Sequence, residues 1–72
     1  MRFSGTRLRA LREARGLTRP AMAKRYGLTE YTIRNLEIGT REPGGAVLLR
    51  IAEAFNVRPE TLYDRDDALI SA

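Results

Sequence analysis

The chain contains no cysteine and no histidine. Disulfides and thiol nucleophiles are excluded, and so are the commonest metal ligands and the commonest general base near neutral pH. Carboxylates alone remain for an enzyme. The densest group of them, Asp64, Asp66 and Asp67, lies in a C-terminal stretch where solvated charge is the ordinary use of acidic residues. No enzymatic activity, catalytic residue, metal or cofactor is therefore expected. Long apolar runs are missing as well. The longest aliphatic run is Ala46 to Leu49, far short of a membrane span, and the start "MRFSGTRLR" lacks the apolar stretch of a secretory signal. A cytoplasmic protein with no membrane partner is expected. Also lacking are an internal repeat, a linker and any strand-like alternation, so the expected fold is all-α.

The 72 residues allow one domain with a core only just large enough to hold it. With 43% hydrophobic and 31% charged residues, the composition is that of a folded globular chain. The charge is unevenly distributed. Through Arg41 there are ten basic and three acidic residues, whereas from Glu42 onward there are three basic and six acidic ones. A basic front half suits a polyanion such as nucleic acid, and the acidic back half suits a protein partner or a second copy of the chain.

Ser4 or Thr6 is placed to cap a first helix running to about Arg15, with Leu8 and Leu11 on its inner stripe and Gly16 free to take the left-handed conformation that ends it. Arg12 falls on that same stripe. A charge there must reach past the core edge or meet a partner inside. Thr18 caps a second helix, with Pro20 tolerated in its first turn, Met22, Ala23 and Tyr26 facing inward and Gly27 as its stop. Thr29 caps a third. Two helices of this length joined at Gly27 and Leu28 have helix-turn-helix spacing, in which the second helix reads its partner.

That third helix lies in "GLTEYTIRNLEIG". At 100° per residue, Ile33, Leu36 and Glu37 share one side, and Tyr31, Arg34, Asn35 and Ile38 share the other. The loop "TREPGG" follows. "AVLLRIAEAF" then sets Leu48, Ile51, Ala52 and Phe55 at helical spacing, and Asn56 serves as a left-handed stop. Pro59 opens a short fifth helix holding Leu62 and Tyr63. The expected division is residues 1–64 as the folded domain and 65–72 as a C-terminal tail.

"LRALREARGLT", "MAKRYGLTEYTIRNLEIGTREP" and "LLRIAEAFNV", in that order, resemble the phage-repressor and Cro-like (Xre) family of helix-turn-helix DNA-binding proteins. The likeness runs from about Leu8 to Tyr63 and implies a compact five-helix, lambda-repressor-like domain. It implies an internal ion pair between Arg12 and Glu37. It also implies that Thr29, Glu30, Tyr31, Arg34 and Asn35 meet base edges, while Thr18, Arg19, Thr40 and Arg41 meet phosphates. The chemistry suits those roles: Arg34 can grip guanine as a fork, Asn35 can pair with adenine, and Tyr31 can pack on a thymine methyl. Glu30 could accept from cytosine, orient Arg34 or simply favour the helix dipole.

The sequence departs from the family pattern at several places. Arg19 stands where Gln is common, Pro20 removes a backbone N–H beside it, Ile38 replaces an Asn, and Gly44 and Gly45 replace a Ser and a Leu. By the same resemblance, a regulator of the phage, restriction-controller or antitoxin kind would bind duplex DNA as a homodimer on an inverted repeat. Leu62, Tyr63, Leu69 and Ile70 on the less basic half are the candidate dimer surface, with plain core as the favoured reading of Leu62 itself. The competing reading is a protein-interaction module of the same fold, such as an antitoxin that binds a toxin partner.

Overall fold

The computed structural model describes residues 2–64. The chain opens with a two-residue strand, β1 (Arg2–Phe3), and continues through α1 (Gly5–Ala14), α2 (Arg19–Tyr26), α3 (Glu30–Ile38) and α4 (Gly45–Phe55). A single 3-10 turn, Pro59–Leu62, then leads into β2 (Tyr63–Asp64), which pairs antiparallel with β1.

Three of the helices begin on a hydroxyl. Ser4 Oγ accepts the Arg7 N–H at 3.1 Å, Thr18 Oγ1 accepts that of Ala21 at 3.2 Å, and Thr29 Oγ1 accepts that of Thr32 at 3.0 Å. Each bond satisfies one of the orphan donors of a first turn. α4 has no such cap, because Gly44 occupies its N-cap and offers no side chain. Left-handed residues close α2, α3 and α4: Gly27 at φ 69°, Gly39 at φ 83° and Asn56 at φ 54°.

Leu8 of α1, Met22 of α2, Ile33 and Leu36 of α3, Ile51 and Phe55 of α4, and Leu62 form the fully buried centre. Gly5 lets α1 lie directly against the end of α3. A Cβ at this position would run into the main-chain carbonyls of Leu36 and Glu37. Two arginines tie helices together. Arg15 donates to the Phe55 carbonyl at 2.8 Å while its guanidinium lies 5.4 Å from the centre of the Phe55 ring, and Arg50 donates to the Gly27 carbonyl at 3.2 Å.

Two features differ from the all-α, five-helix expectation. The described residues hold four α-helices, and the segment after Pro59 is a 3-10 turn of four residues. It is too short for a run of i to i−4 bonds and closes through Thr61 N–H donating to the Arg58 carbonyl at 2.9 Å. Tyr63 is extended and belongs to β2, where it lies opposite Phe3 with ring centres 5.7 Å apart and planes at 84°. The Ser4 N–H donates to the Leu62 carbonyl at 2.7 Å, and Arg7 meets Asp64 at 2.9 Å, so the segment before α1 is stitched to the segment after the 3-10 turn.

Candidate nucleic-acid interface

α2, the Gly27 turn and α3 are held as a unit. The Leu28 N–H donates back to the Ala23 carbonyl at 2.9 Å, closing α2 and setting the direction in which α3 departs. On α3 the buried side comprises Ile33, Leu36 and Glu37, while Tyr31 is 67% exposed and Ile38 is 52% exposed. Arg34 is exposed beside Tyr31, and Asn35 is partly buried at the edge of the same stripe. The helix therefore offers a ring, a guanidinium and an amide to the outside while its other face is fixed in the core.

Glu37 is the electrostatic anchor of that inner face. Its carboxylate accepts from Arg12 Nε at 2.6 Å and Nη2 at 3.1 Å, and from Arg19 Nε at 3.0 Å. Arg12 also donates to the Leu17 carbonyl at 2.7 Å. Burial pushes the Glu37 carboxyl up, but the hydrogen bonds from Arg12 and Arg19 outweigh it and hold the group below its ordinary value. The Glu37 hydrogen bond likewise outweighs burial at Arg12 and raises that guanidinium further. The result is one carboxylate between two guanidiniums, α1 and α2 both gripping the last turn of α3.

The expected phosphate-facing residues divide into those turned outward and those turned inward. The Thr18 hydroxyl caps α2, and Arg19 turns its Nε inward to Glu37 while about a quarter of its side chain, 28%, remains exposed. The link from Arg19 to Glu37 goes beyond the expected Arg12–Glu37 pair, and its visible sign in the sequence is an arginine in place of the usual Gln. Arg41 is exposed in the loop after α3 and, with Arg2, Phe3, Gly39 and Glu42, lines a notch of about 350 Å³. Thr40 is turned back onto α3, with its hydroxyl 3.0 Å from Asn35 Oδ1. A phosphate oxygen needs a donor, and that hydroxyl hydrogen is directed elsewhere.

Thr29 likewise commits its hydroxyl locally, accepting from the Thr32 N–H and donating to Thr32 Oγ1 at 2.8 Å. Glu30 sits exposed in the first turn of α3, where a carboxylate favours the helix dipole. Among the described residues it makes no ion pair with Arg34.

On the opposite side, Leu62 is 0% exposed and lies in the core. Of its two readings, core and dimer surface, the structure gives the core: the 3-10 turn drives its side chain inward between α1 and α4, leaving nothing for a second molecule to touch. Tyr63 is partly buried and lines a shallow, largely apolar groove of about 190 Å³ with Leu48, Pro59 and Glu60. Leu69 and Ile70 lie outside the described residues, as does the expected tail boundary after residue 64. Among the described residues, no helix is long and apolar enough to cross a membrane and no acidic cluster is arranged to hold a metal ion.

A capped α2, a left-handed glycine turn and an α3 with one face buried and the other exposed define a helix-turn-helix protein. The comparisons with known proteins agree with this geometry. The model of a helix-turn-helix domain matches residues 5–65. An HTH-type transcriptional regulator of Archaeoglobus fulgidus, itself uncharacterized, is 39% identical over 62 residues, covering 86% of this chain and 89% of that protein. The HTH-type transcriptional regulator PrpR of Mycobacterium tuberculosis is 39% identical over 70 residues, which is 97% of this chain but 14% of PrpR. The P22 c2 repressor protein, solved in complex with a synthetic operator, superimposes with a TM-score of 0.80 at 29% identity, covering 92% of this chain and 100% of that one. The chain belongs to the helix-turn-helix family of transcriptional regulators, in its phage-repressor and Cro-like (Xre) branch.

Proposed function

We propose that this chain is the sequence-reading domain of a transcriptional repressor that binds a short inverted repeat of duplex DNA as a dimer. The carrying observation is the outward stripe of exposed Tyr31 and Arg34, with Asn35 at its edge, on a helix whose other face is locked by Glu37, Arg12, Arg19 and the core. A reader must hold its donors still, and a helix anchored in this way does so without help from the ligand. Arg34 supplies the guanine-gripping fork, and Tyr31 packs against a thymine methyl or reaches a phosphate. Arg41 and the outer nitrogens of Arg19 supply the salt-dependent grip on the backbone.

The domain ends at residue 64, and the protein works in the cytoplasm. Two copies pair so that their α3 helices enter successive major grooves about one helical turn, ~34 Å, apart. Tyr63 and the groove beside it are the described part of the pairing surface. The chain spans 14% of the length of PrpR.

The test is selection from a pool of randomised duplexes at near-physiological salt. An enriched inverted repeat is the expected result. Binding with no enriched sequence, vanishing as salt rises, would leave only charge attraction and refute the reading.

A further inference from the structure

We propose that Thr40, just beyond α3, is a positioning residue that fixes which base Asn35 reads. The inference rests on the base-reading role of α3 proposed above. Gly39, at φ 83°, turns the chain back at the end of the helix. Two main-chain donors, the N–H groups of Gly39 and Thr40, then reach the Asn35 carbonyl, each at 3.1 Å. That oxygen is already doubly served. The Thr40 hydroxyl lies 3.4 Å from the same oxygen and 3.0 Å from Asn35 Oδ1. A threonine hydroxyl has a single hydrogen to give. It goes to the nearer acceptor that has no other donor, the side-chain carbonyl.

This bond sets the polarity of the amide. With Oδ1 turned toward the loop, the amino group of Asn35 occupies the opposite corner of the carboxamide. Among the described residues that amino group has no hydrogen-bond partner, and no buried side-chain nitrogen or oxygen lacks one. The amino group therefore faces solvent, at the edge of the stripe formed by Tyr31 and Arg34. Pairing with adenine would need the amide to accept from N6 and donate to N7 together. With its carbonyl oxygen engaged by the Thr40 hydroxyl, the amide presents its amino group to a partner. It matches an edge made of acceptors, which among purines is guanine N7 and O6, and it sets an amino group against the adenine amino group. Thr40 thus turns a residue able to read adenine into a reader of guanine, and its donors serve α3 and not the phosphate backbone.

The test uses one randomised duplex pool and four proteins: wild type, Asn35→Ala, Thr40→Val and Thr40→Ser. Asn35→Ala identifies the base position by the preference it loses. At that position the wild type is expected to enrich guanine over adenine, and Thr40→Val to reduce this discrimination about tenfold, within the range of one base-edge arrangement. Thr40 is exposed and valine copies its shape, so melting temperature is expected to be unchanged, and Thr40→Ser should restore the guanine preference. Adenine enriched by the wild type at that position overturns the proposal, as does a Thr40→Val preference identical to that of the wild type. So does a loss of affinity and melting temperature that Thr40→Ser leaves unrepaired. A pool from which the wild type enriches no sequence refutes base reading itself, an outcome visible before any variant is compared.

Discussion

Removing either end of the Arg12–Glu37 pair should bring the domain close to unfolding, and removing both ends should restore most of the loss. The carboxylate is 1% exposed and the Arg12 side chain 9% exposed, so water cannot take over for a missing partner. Breaking a pair of this kind costs about 3 to 5 kcal/mol. A chain of 72 residues has a total stability of about 4 to 11 kcal/mol, taken per residue. The two single changes are not equivalent. In Arg12→Met, Glu37 keeps the Arg19 hydrogen bond at 3.0 Å, so the loss should lie near the lower bound. In Glu37→Leu, Arg12 is left with only the Leu17 carbonyl, and the loss should lie near the upper one.

At about 4 to 8 °C per kcal/mol for domains of this size, even the milder variant should melt at least ~12 °C lower. The double variant replaces the pair with apolar groups and should be more stable than either single variant, with a coupling of about 3 kcal/mol. Urea and thermal melts of the four proteins measure this cycle. Acid supplies an independent check. Glu37 is held below its ordinary value in the fold, so its contribution is complete above the unfolded carboxylate pKa of about 4.3 and is lost as pH falls through the folded one. The wild type should therefore lose stability below about pH 4 that the double variant does not lose. Additive single changes, each below about 1 kcal/mol, would refute the buried-pair reasoning.

Two further outcomes follow from the same geometry. Gly5→Ala should destabilise by about 1 to 3 kcal/mol because its Cβ meets backbone carbonyls of α3, which cannot move aside as a side chain would. Gly45→Ala, with open space around the new Cβ at the start of α4, should stabilise by about 0.4 to 1 kcal/mol. Urea melts compare the two, and stabilisation by both would show that α1 does not approach α3 so closely. On DNA, Arg34→Ala should lose about 1 to 3 kcal/mol on the selected site and relax one base position. Arg41→Ala should weaken selected and random duplexes alike and lower the salt slope by about one. Equal losses on both duplexes for Arg34→Ala would remove its reading role.

Local chemistry made much of this fold legible in advance. A hydroxyl that caps, a glycine that accepts positive φ and a 3.6-residue apolar rhythm each act within four residues, so α1 to α3 with their ends, and α4 with its stop at Asn56, could be read in order. The β1–β2 ladder could not. Two-residue strands carry no period, and their pairing joins Arg2 to Asp64 across the whole fold. Leu62 was ambiguous for a related reason, since an apolar residue near the end of the chain serves a core or an interface equally well until the 3-10 turn fixes its direction. The exposed stripe of α3 was visible from helical geometry alone. The donors committed by Thr29 and Thr40 were not, because which of its bonds a hydroxyl makes depends on the path of the turn around it.

Arg19 shows how stability and recognition come to share one residue. Its Nε bond to Glu37 occupies one of five guanidinium hydrogens, leaving the two terminal nitrogens for a phosphate. Phosphate binding therefore need not break the internal bond. A Gln at the same place would offer a single amino group to divide between the carboxylate and the backbone of DNA. The guanidinium serves both and keeps its charge, which ties the first turn of α2 to the last turn of α3 while leaving a cation at the surface. Pro20 fits this arrangement, since it removes a main-chain donor from the same turn and leaves the grip there to the Arg19 side chain.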